Sequence, residues 1–438
     1  MQKEVMDAVF SSIDALQDEM VNAVSTMVKY KSVSPVFGWE LEVTAGQETA
    51  VNEYALGLMD AIGLKTEMFA TKDERMNLCG VFEGSGGGKS LLFNGHVDVV
   101  PPGDPAEWQG RDPFGGEISD GYIYGRGTVD MKGGLAAALF ALKGVLNAGY
   151  KPGGNVVYQF AVGEENKETE AGTGACLDKG YLADAAIVCE PSCMPDGVFD
   201  VAIAQSGVFE MTWSVKGKSC HVGARREVIR DGGAGDIVGV DAIEKGMIIY
   251  NAIKDLERRW GQTKQHPMFK PGSFNISAAT IKAGVGASFV APEMEMSYGI
   301  LYNPNDGAEK TKQEIEEVIS NACLNDPWLK ANPPKVTWTF NWPSFNTSPD
   351  EPISVVAQNA VRAVVPEGGA TRSFFAVSDG CFIEEKNIPI VVMGPGDCFV
   401  AHTVNERVSI EQLVQAAKIY AATIADWCGI AHNDGADS

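Results

Sequence analysis

At 438 residues the chain exceeds the length at which one hydrophobic core stops growing, so two domains, or one domain carrying a large insertion, are expected. Its 45% hydrophobic and 21% charged residues fit a globular protein and exclude a disordered or fibrous one. With 35 Lys and Arg against 58 Asp and Glu, the formal charge of −23 argues against nucleic acid or an anionic membrane surface as partner.

The opening MQKEVMDAVF has neither the basic region nor the apolar run of a signal peptide, and no window approaches the roughly 20 apolar residues of a membrane span. A cytoplasmic protein is expected. Nine scattered cysteines, odd in number and without a CxxC pair, read as free buried thiols.

In chain order, Ile13, Leu16, Met20, Val24, Met27 and Val28 form the stripe of an amphipathic helix, and a second helix is expected at about 49–63. LCGVFEG and KSLLFNGHVDVV read as strands, MKGGLAAALFALKGVLNAG as a helix, then NVVYQFAVGEE and AAIVCEP as strands. Strands separated by such a helix imply a mostly parallel sheet covered on both faces. GSGGGKS at 84–90 lacks the first glycine of a phosphate-binding loop and leads into a strand, so it reads as a hairpin turn. From VFEMTWSVKG to KVTWTF the expected order is βαββαβ, a ferredoxin-like unit. A helix at about 351–365, the strand IPIVVMGPG and the helix IEQLVQAAKIYAATIADW resume the first style. The expected organisation is a discontinuous α/β domain, 1–206 and 343–438, interrupted by an α+β domain at 207–342.

Acids and histidines cluster at the carboxyl ends of these strands, where open α/β sheets form ligand crevices. Period-2 alternation puts His96 and Asp98 on one face at a strand end, a ligand and its orienting carboxylate. Asp130 opens a helix, where it serves as N-cap or as ligand, and glycines at 125, 127, 133 and 134 permit close backbone approach. Glu164 and Glu165 end another strand; adjacent side chains diverge, which suits one acid on a metal and one left to take a proton from water. Glu190 and His402 follow two further strands, and imidazole with carboxylate but no thiolate suits zinc, with cobalt or manganese as alternatives.

Jointly, GHVDVVP, DPFGGEISDGYIYGRGTVDMKGG, GEE, CEP, KSCHVG and GPGDCFVAHTVNE resemble, in order and over nearly the whole chain, the metallopeptidase family of acetylornithine deacetylase, succinyl-diaminopimelate desuccinylase, aminoacylase and carboxypeptidase G. The resemblance implies a di-zinc catalytic domain and an inserted lid that mediates homodimerisation. Asp130 would bridge two zinc ions, with His96 and Glu190 on one and Glu165 and His402 on the other. Asp98 would orient His96, Glu164 would be the general base, and His221 would reach the partner's site to stabilise the tetrahedral intermediate.

Against the desuccinylase pattern, Phe289 stands for Asn, Leu301 for Arg, Val377 for Thr and Cys381 for Arg, and the segment after His221 is longer. These replacements favour an apolar group over a substrate carboxylate, unless Arg225, Arg226 or Arg372 restores its binding. The expected activity is hydrolysis of an N-acyl amino acid or related small amide. Hydrolysis of a neutral or aromatic amide or carbamoyl compound is the alternative, and a silent metal-binding homologue a third.

Overall fold

The computed structural model describes residues 3–72, 75–194, 197–225 and 238–433. Arg226 and most of the long segment after His221 lie outside the described residues. The chain divides into two compact units, Met1–Ile203 with Thr347–Phe374 and Ser378–Ser438, and Ala204–Asn346 with Phe375–Val377. Residues 204–206 and 343–346, assigned from sequence to the discontinuous domain, group with the second unit. Among the described residues no helix is long and apolar enough to cross a membrane.

The opening stripe forms two helices, α1 (Lys3–Ala15) and α2 (Gln17–Lys29), and α3 spans Gln47–Ala61. Among the described residues the main sheet has nine strands: β1 (Lys65–Phe69), β2 (Asn77–Phe82), β3 (Leu91–His96), β4 (Val156–Ala161), β5 (Ala185–Val188), β6 (Val201–Gln205), Ile390–Val392, and two short ones, Phe345–Asn346 and Thr371–Ser373, that pair with β6. The order of the first seven is β1-β2-β4-β3-β5, then Ile390–Val392, then β6. Only the centre is parallel: β4 with β3, β3 with β5, and β5 with Ile390–Val392. The flanking pairs are antiparallel, so the expected mostly parallel sheet is in fact mixed. The segment at 84–90 is no hairpin turn either, because β4 lies between β2 and β3.

Every residue of β3, β4 and β5 is buried. Since strand side chains alternate between faces, this requires cover on both. The helix α4 (Gly133–Asn147) packs against β3 and against the closing helix Ile410–Trp427. A Cβ on Gly134 would stand 2.1 Å from the Cys189 carbonyl oxygen, so glycine here lets the start of α4 approach the end of β5. All nine cysteines are free, and only Cys220 is not buried.

In the second unit, β7 (Gly207–Lys216), α5 (Ala242–Thr263), β8 (Asn275–Ala283), β9 (Glu293–Tyr302), α6 (Ala308–Leu324) and β10 (Lys335–Trp342) follow the βαββαβ order. Their antiparallel sheet runs β8-β9-β7-β10. On β9, Met294, Met296, Tyr298, Ile300 and Tyr302 alternate with less buried residues and join Trp213, Ile253, Trp260 and Ile315 in one core. The chain leaves the first unit at Ile203 and re-enters at Thr347, whose N–H donates to the Ile203 carbonyl oxygen at 2.8 Å.

Two glycines separate propensity from packing. Gly57 sits on the exposed side of α3 with nothing within 4 Å of an added Cβ, so Gly57→Ala is expected to raise stability by about 0.5–1 kcal/mol. Gly134→Ala gains the same propensity but meets a backbone oxygen, and is expected to lose about 1–3 kcal/mol net. Urea unfolding midpoints check both; a shift of the same sign in the two variants contradicts the packing argument.

Candidate metal centre

His96 is the last residue of β3 and is 1% exposed. Its Nδ1 lies 2.9 Å from the Asp98 carbonyl oxygen, which can only accept. The ring proton therefore sits on Nδ1, and the Nε2 lone pair faces the site. Nε2 is 3.1 Å from Asp130 Oδ1 and 3.5 Å from Glu190 Oε1. On the other side, His402 Nε2 is 3.1 Å from Asp130 Oδ2 and 3.1 Å from Glu165 Oε2. Each oxygen of Asp130 thus faces a different imidazole.

Asp130 Oδ1 is buried without a hydrogen-bond partner, although the His96 nitrogen is close. Two lone pairs facing each other at that distance call for a shared cation. Ligand atoms of His96, Asp130 and Glu165 all lie within 4.8 Å of one another, as do those of His96, Glu164 and Glu190. Two imidazoles and four carboxylates without a thiolate fit divalent cations of the zinc kind.

The charges point the same way. Burial pushes Glu165 up to about 7 and Glu190 up to about 8, with the Asp130 charge adding to both. Burial also holds Glu164 well above the usual carboxylate range. Against its own burial, Asp130 is held far below that range by His402 and His96. Contacts with Asp130 and Glu165 raise His402 to about 10. Buried acids that retain protons and imidazoles that gain them mark a cluster short of positive charge.

Several local expectations change. Asp130 is not the N-cap of α4; that position is Lys132, and Asp130 has extended φ/ψ of −122° and 94°. β4 ends at Ala161, so Glu164 and Glu165 belong to a tight turn after the strand, and it is the turn that separates their side chains. Glu164 Oε2 is 3.8 Å from His96 Nε2, while Glu165 turns to His402.

Asp98 also lies beyond its strand, and its carboxylate does not orient His96. Its Oδ1 is 3.7 Å from Nδ1, whereas the two oxygens accept N–H bonds from Gly163 at 2.9 Å, Glu164 at 3.4 Å and Glu165 at 3.2 Å. The backbone carbonyl of Asp98 orients the ring and its side chain holds the acidic turn.

His221 lies on the second unit and is exposed. Its Nδ1 accepts from the Gly223 N–H at 3.0 Å, so the neutral ring carries its proton on Nε2 and presents a donor outward. Phe289, bridged to His221 through the backbone, is 54% exposed; Leu301 and Val377 are half-buried. Cys381 is fully buried with Sγ towards the Ser378 carbonyl, which removes it from any ligand surface. Arg372 is engaged by the Ser192 carbonyl and lies 3.6 Å from Asp200, and Arg225 pairs with Asp241 and Glu244. Neither is a spare cation for a substrate carboxylate.

Sequence reasoning missed Glu406. Fully buried, it pairs with Arg126 and accepts N–H bonds from Gly127 at 2.9 Å, Val129 at 3.0 Å and Asp130 at 3.3 Å, fixing the segment that presents Asp130. Its position four residues after His402 in the same motif was the available signal. Lys132, also fully buried, donates to the carbonyls of Met27 and Tyr30 at 3.0 and 3.1 Å and had no such signal.

The N-formyl-4-amino-5-aminomethyl-2-methylpyrimidine deformylase of Halalkalibacterium halodurans is 32% identical over 437 residues, 97% of this chain and 98% of the relative. The succinyl-diaminopimelate desuccinylase of Alkalilimnicola ehrlichii is 28% identical over 338 residues, 76% of this chain and 82% of the relative. Among solved structures, aminopeptidase PepT from Bacillus cereus superposes with a TM-score of 0.70 at 20% identity, covering 93% of this chain and 98% of that one. The YXEP protein of Bacillus subtilis, a dinuclear metal-binding peptidase, has a TM-score of 0.66 at 15% identity, covering 95% of this chain and 99% of that one. The model of peptidase family M20/M25/M40 matches residues 92–426, and the chain belongs to that family.

Proposed function

We propose that this enzyme hydrolyses the amide bond of a small N-acyl amine at a two-cation centre, and that the amine portion is neutral and aromatic rather than an anionic amino acid. As a family member the chain is an amide-bond hydrolase. The observation that carries the two-cation reading is the placing of His96 and His402 against opposite oxygens of Asp130. His96 and Glu190 would hold one cation and Glu165 and His402 the other, with Asp130 shared; zinc is the proposed metal.

Divalent cations supply Lewis acidity, which polarises a scissile carbonyl and makes water more acidic. Glu164 takes a proton from the attacking water and delivers it to the leaving nitrogen. Its burial suits both halves of that transfer, because a raised pKa makes the protonated acid stable between steps. The Nε2–H of His221 is the donor proposed for the developing oxyanion of a partner chain's site.

Support for a neutral aromatic amine comes from two sides. The relatives aligned over almost the whole chain are named for an aminopyrimidine formamide, whereas the desuccinylases align over about three quarters of it. Phe289, Leu301 and Val377 replace polar or cationic residues of the desuccinylase pattern, and Arg225 and Arg372 are already engaged. An unpaired substrate carboxylate costs about 2–5 kcal/mol, more than modest apolar contacts return. We propose a homodimer formed through the second unit, whose edge strand β8 exposes seven of its nine residues, Ile281 among them, and offers unpaired backbone groups.

Purified protein is expected to bind about two divalent ions per chain, and Asp130→Ala to lose both. Elemental analysis decides it; full occupancy in the variant removes the bridging role. Glu164→Gln should keep its metal while turnover falls by about 10²–10⁴; activity within a few-fold of wild type means another residue is the base.

Mixing His221→Ala with Glu164→Gln chains should restore activity if His221 acts across the dimer, since one site per mixed dimer has both residues intact. No recovery after subunit exchange places His221 in its own chain's chemistry or outside it. A substrate panel of an N-formyl aminomethylpyrimidine, an N-acetyl aromatic amino acid, acetylornithine and succinyl-diaminopimelate should give the highest kcat/KM for the first. Preference for succinyl-diaminopimelate refutes the neutral-amine reading.

A further inference from the structure

The turn that carries Glu164 and Glu165 is tied at three places. At its stem, Asn77 Oδ1 accepts from the Val162 N–H at 3.1 Å and Asn77 Nδ2 donates to the Ala171 carbonyl at 2.8 Å. At its crown, the Asp98 carboxylate collects the three N–H groups described above. The turn closes on itself through Glu168 N to Gly163 O at 2.8 Å, with Gly163 and Lys167 both at positive φ. The third tie is the Glu168 side chain, which pairs with Arg75 Nη1 and with Lys72.

Arg75 is itself fixed. Its Nε and Nη2 grip the Glu48 carboxylate of α3 at 2.6 Å each, and both side chains are more than nine-tenths buried. A guanidinium can hold one carboxylate with a two-pronged fork and still direct a third N–H at another; an ammonium lacks that geometry. Glu48, Arg75 and Glu168 take no part in the proposed ligand set, yet the fork costs the burial of two charged groups. That cost is offset where the position of the third partner matters.

We propose that Arg75, locked by Glu48, is a positioning residue: through Glu168 it sets where the carboxylates of Glu164 and Glu165 stand relative to His96 and His402. The inference rests on the amide-hydrolase reading for its effect on turnover, but its effect on the turn itself can be read without any substrate.

The test compares the full-length metal-loaded protein with Glu168→Gln, which removes only the charge on a side chain that is 18% exposed, and with Arg75→Lys. Amide hydrogen exchange over residues 162–169 is measured with kcat, KM and the thermal midpoint. In Glu168→Gln the turn should exchange at least about tenfold faster while the midpoint moves by less than about 2 °C. The kcat should fall by about 10- to 100-fold with KM within about threefold, because misplaced acids slow the reaction more than they weaken binding. Arg75→Lys should give the same local loss of protection.

Unchanged protection of the turn in both variants, or a kcat within about twofold of wild type once corrected for folded protein, overturns the proposal. A drop in midpoint with no selective change in the turn also overturns it, since that is what a merely structural ion pair produces. Should the wild type hydrolyse no amide at all, the functional reading fails, and hydrogen exchange alone decides the clamp.

Discussion

Gathering four carboxylates around two imidazoles inside a protein is opposed by mutual repulsion and by loss of water, and the first unit is organised around that opposition. Ionised acids in a low-dielectric setting each carry a desolvation cost of several kcal/mol unless positive charge or N–H donors reach them. Here the acids that face the centre receive few donors, and the groups behind them receive many. Asp98 and Glu406 each take three backbone N–H bonds, and each fixes the segment that presents an acid to the site. The carboxylates proposed as ligands are thereby left free to meet the proposed cations.

The same division explains the placing of the buried cations of the first unit among the described residues. Arg126 sits against Glu406, Arg75 against Glu48 and Glu168, and Lys132 against two carbonyls, all beside the acidic cluster and none within it. A lysine or arginine admitted to the centre would pair with Asp130 and compete with a divalent ion for its oxygens. Lys132 is fully buried, and that burial pushes its ammonium down to about 7 although nearby Glu406, Asp98 and Glu48 act in the opposite sense. Positive side chains serve as struts, which leaves the centre itself open to the proposed cations.

Much of this was legible in the chain before any coordinates. Hydrophobic periodicity located α5, α6 and β9 because each has one buried face and one more exposed one, the condition under which period reports structure. It failed for the neighbour relations of β2 and β3, since strands buried on both faces carry no information on which strand lies beside them. The acids and histidines proposed as ligands could be picked out because they sit in loops that follow strands, although only His96 is itself the last residue of one. Asp98 could be found but not understood: its carboxylate and its carbonyl do different jobs, and sequence spacing does not distinguish them. Arg75 and Glu48, 27 residues apart on a loop and a helix, meet only in the fold.

The hydrogen bond between Thr347 and Ile203 has a bearing on how such a chain could arise. The two ends of the second unit meet at neighbouring backbone positions of the first, so the first unit's path is interrupted without being displaced. Every residue proposed to hold a cation lies outside the interruption. A segment whose two ends meet at one strand junction can be gained by a gene without disturbing the residues proposed to hold the cations, so the roles proposed for it in assembly and in choice of substrate can change while the hydrolytic apparatus is kept.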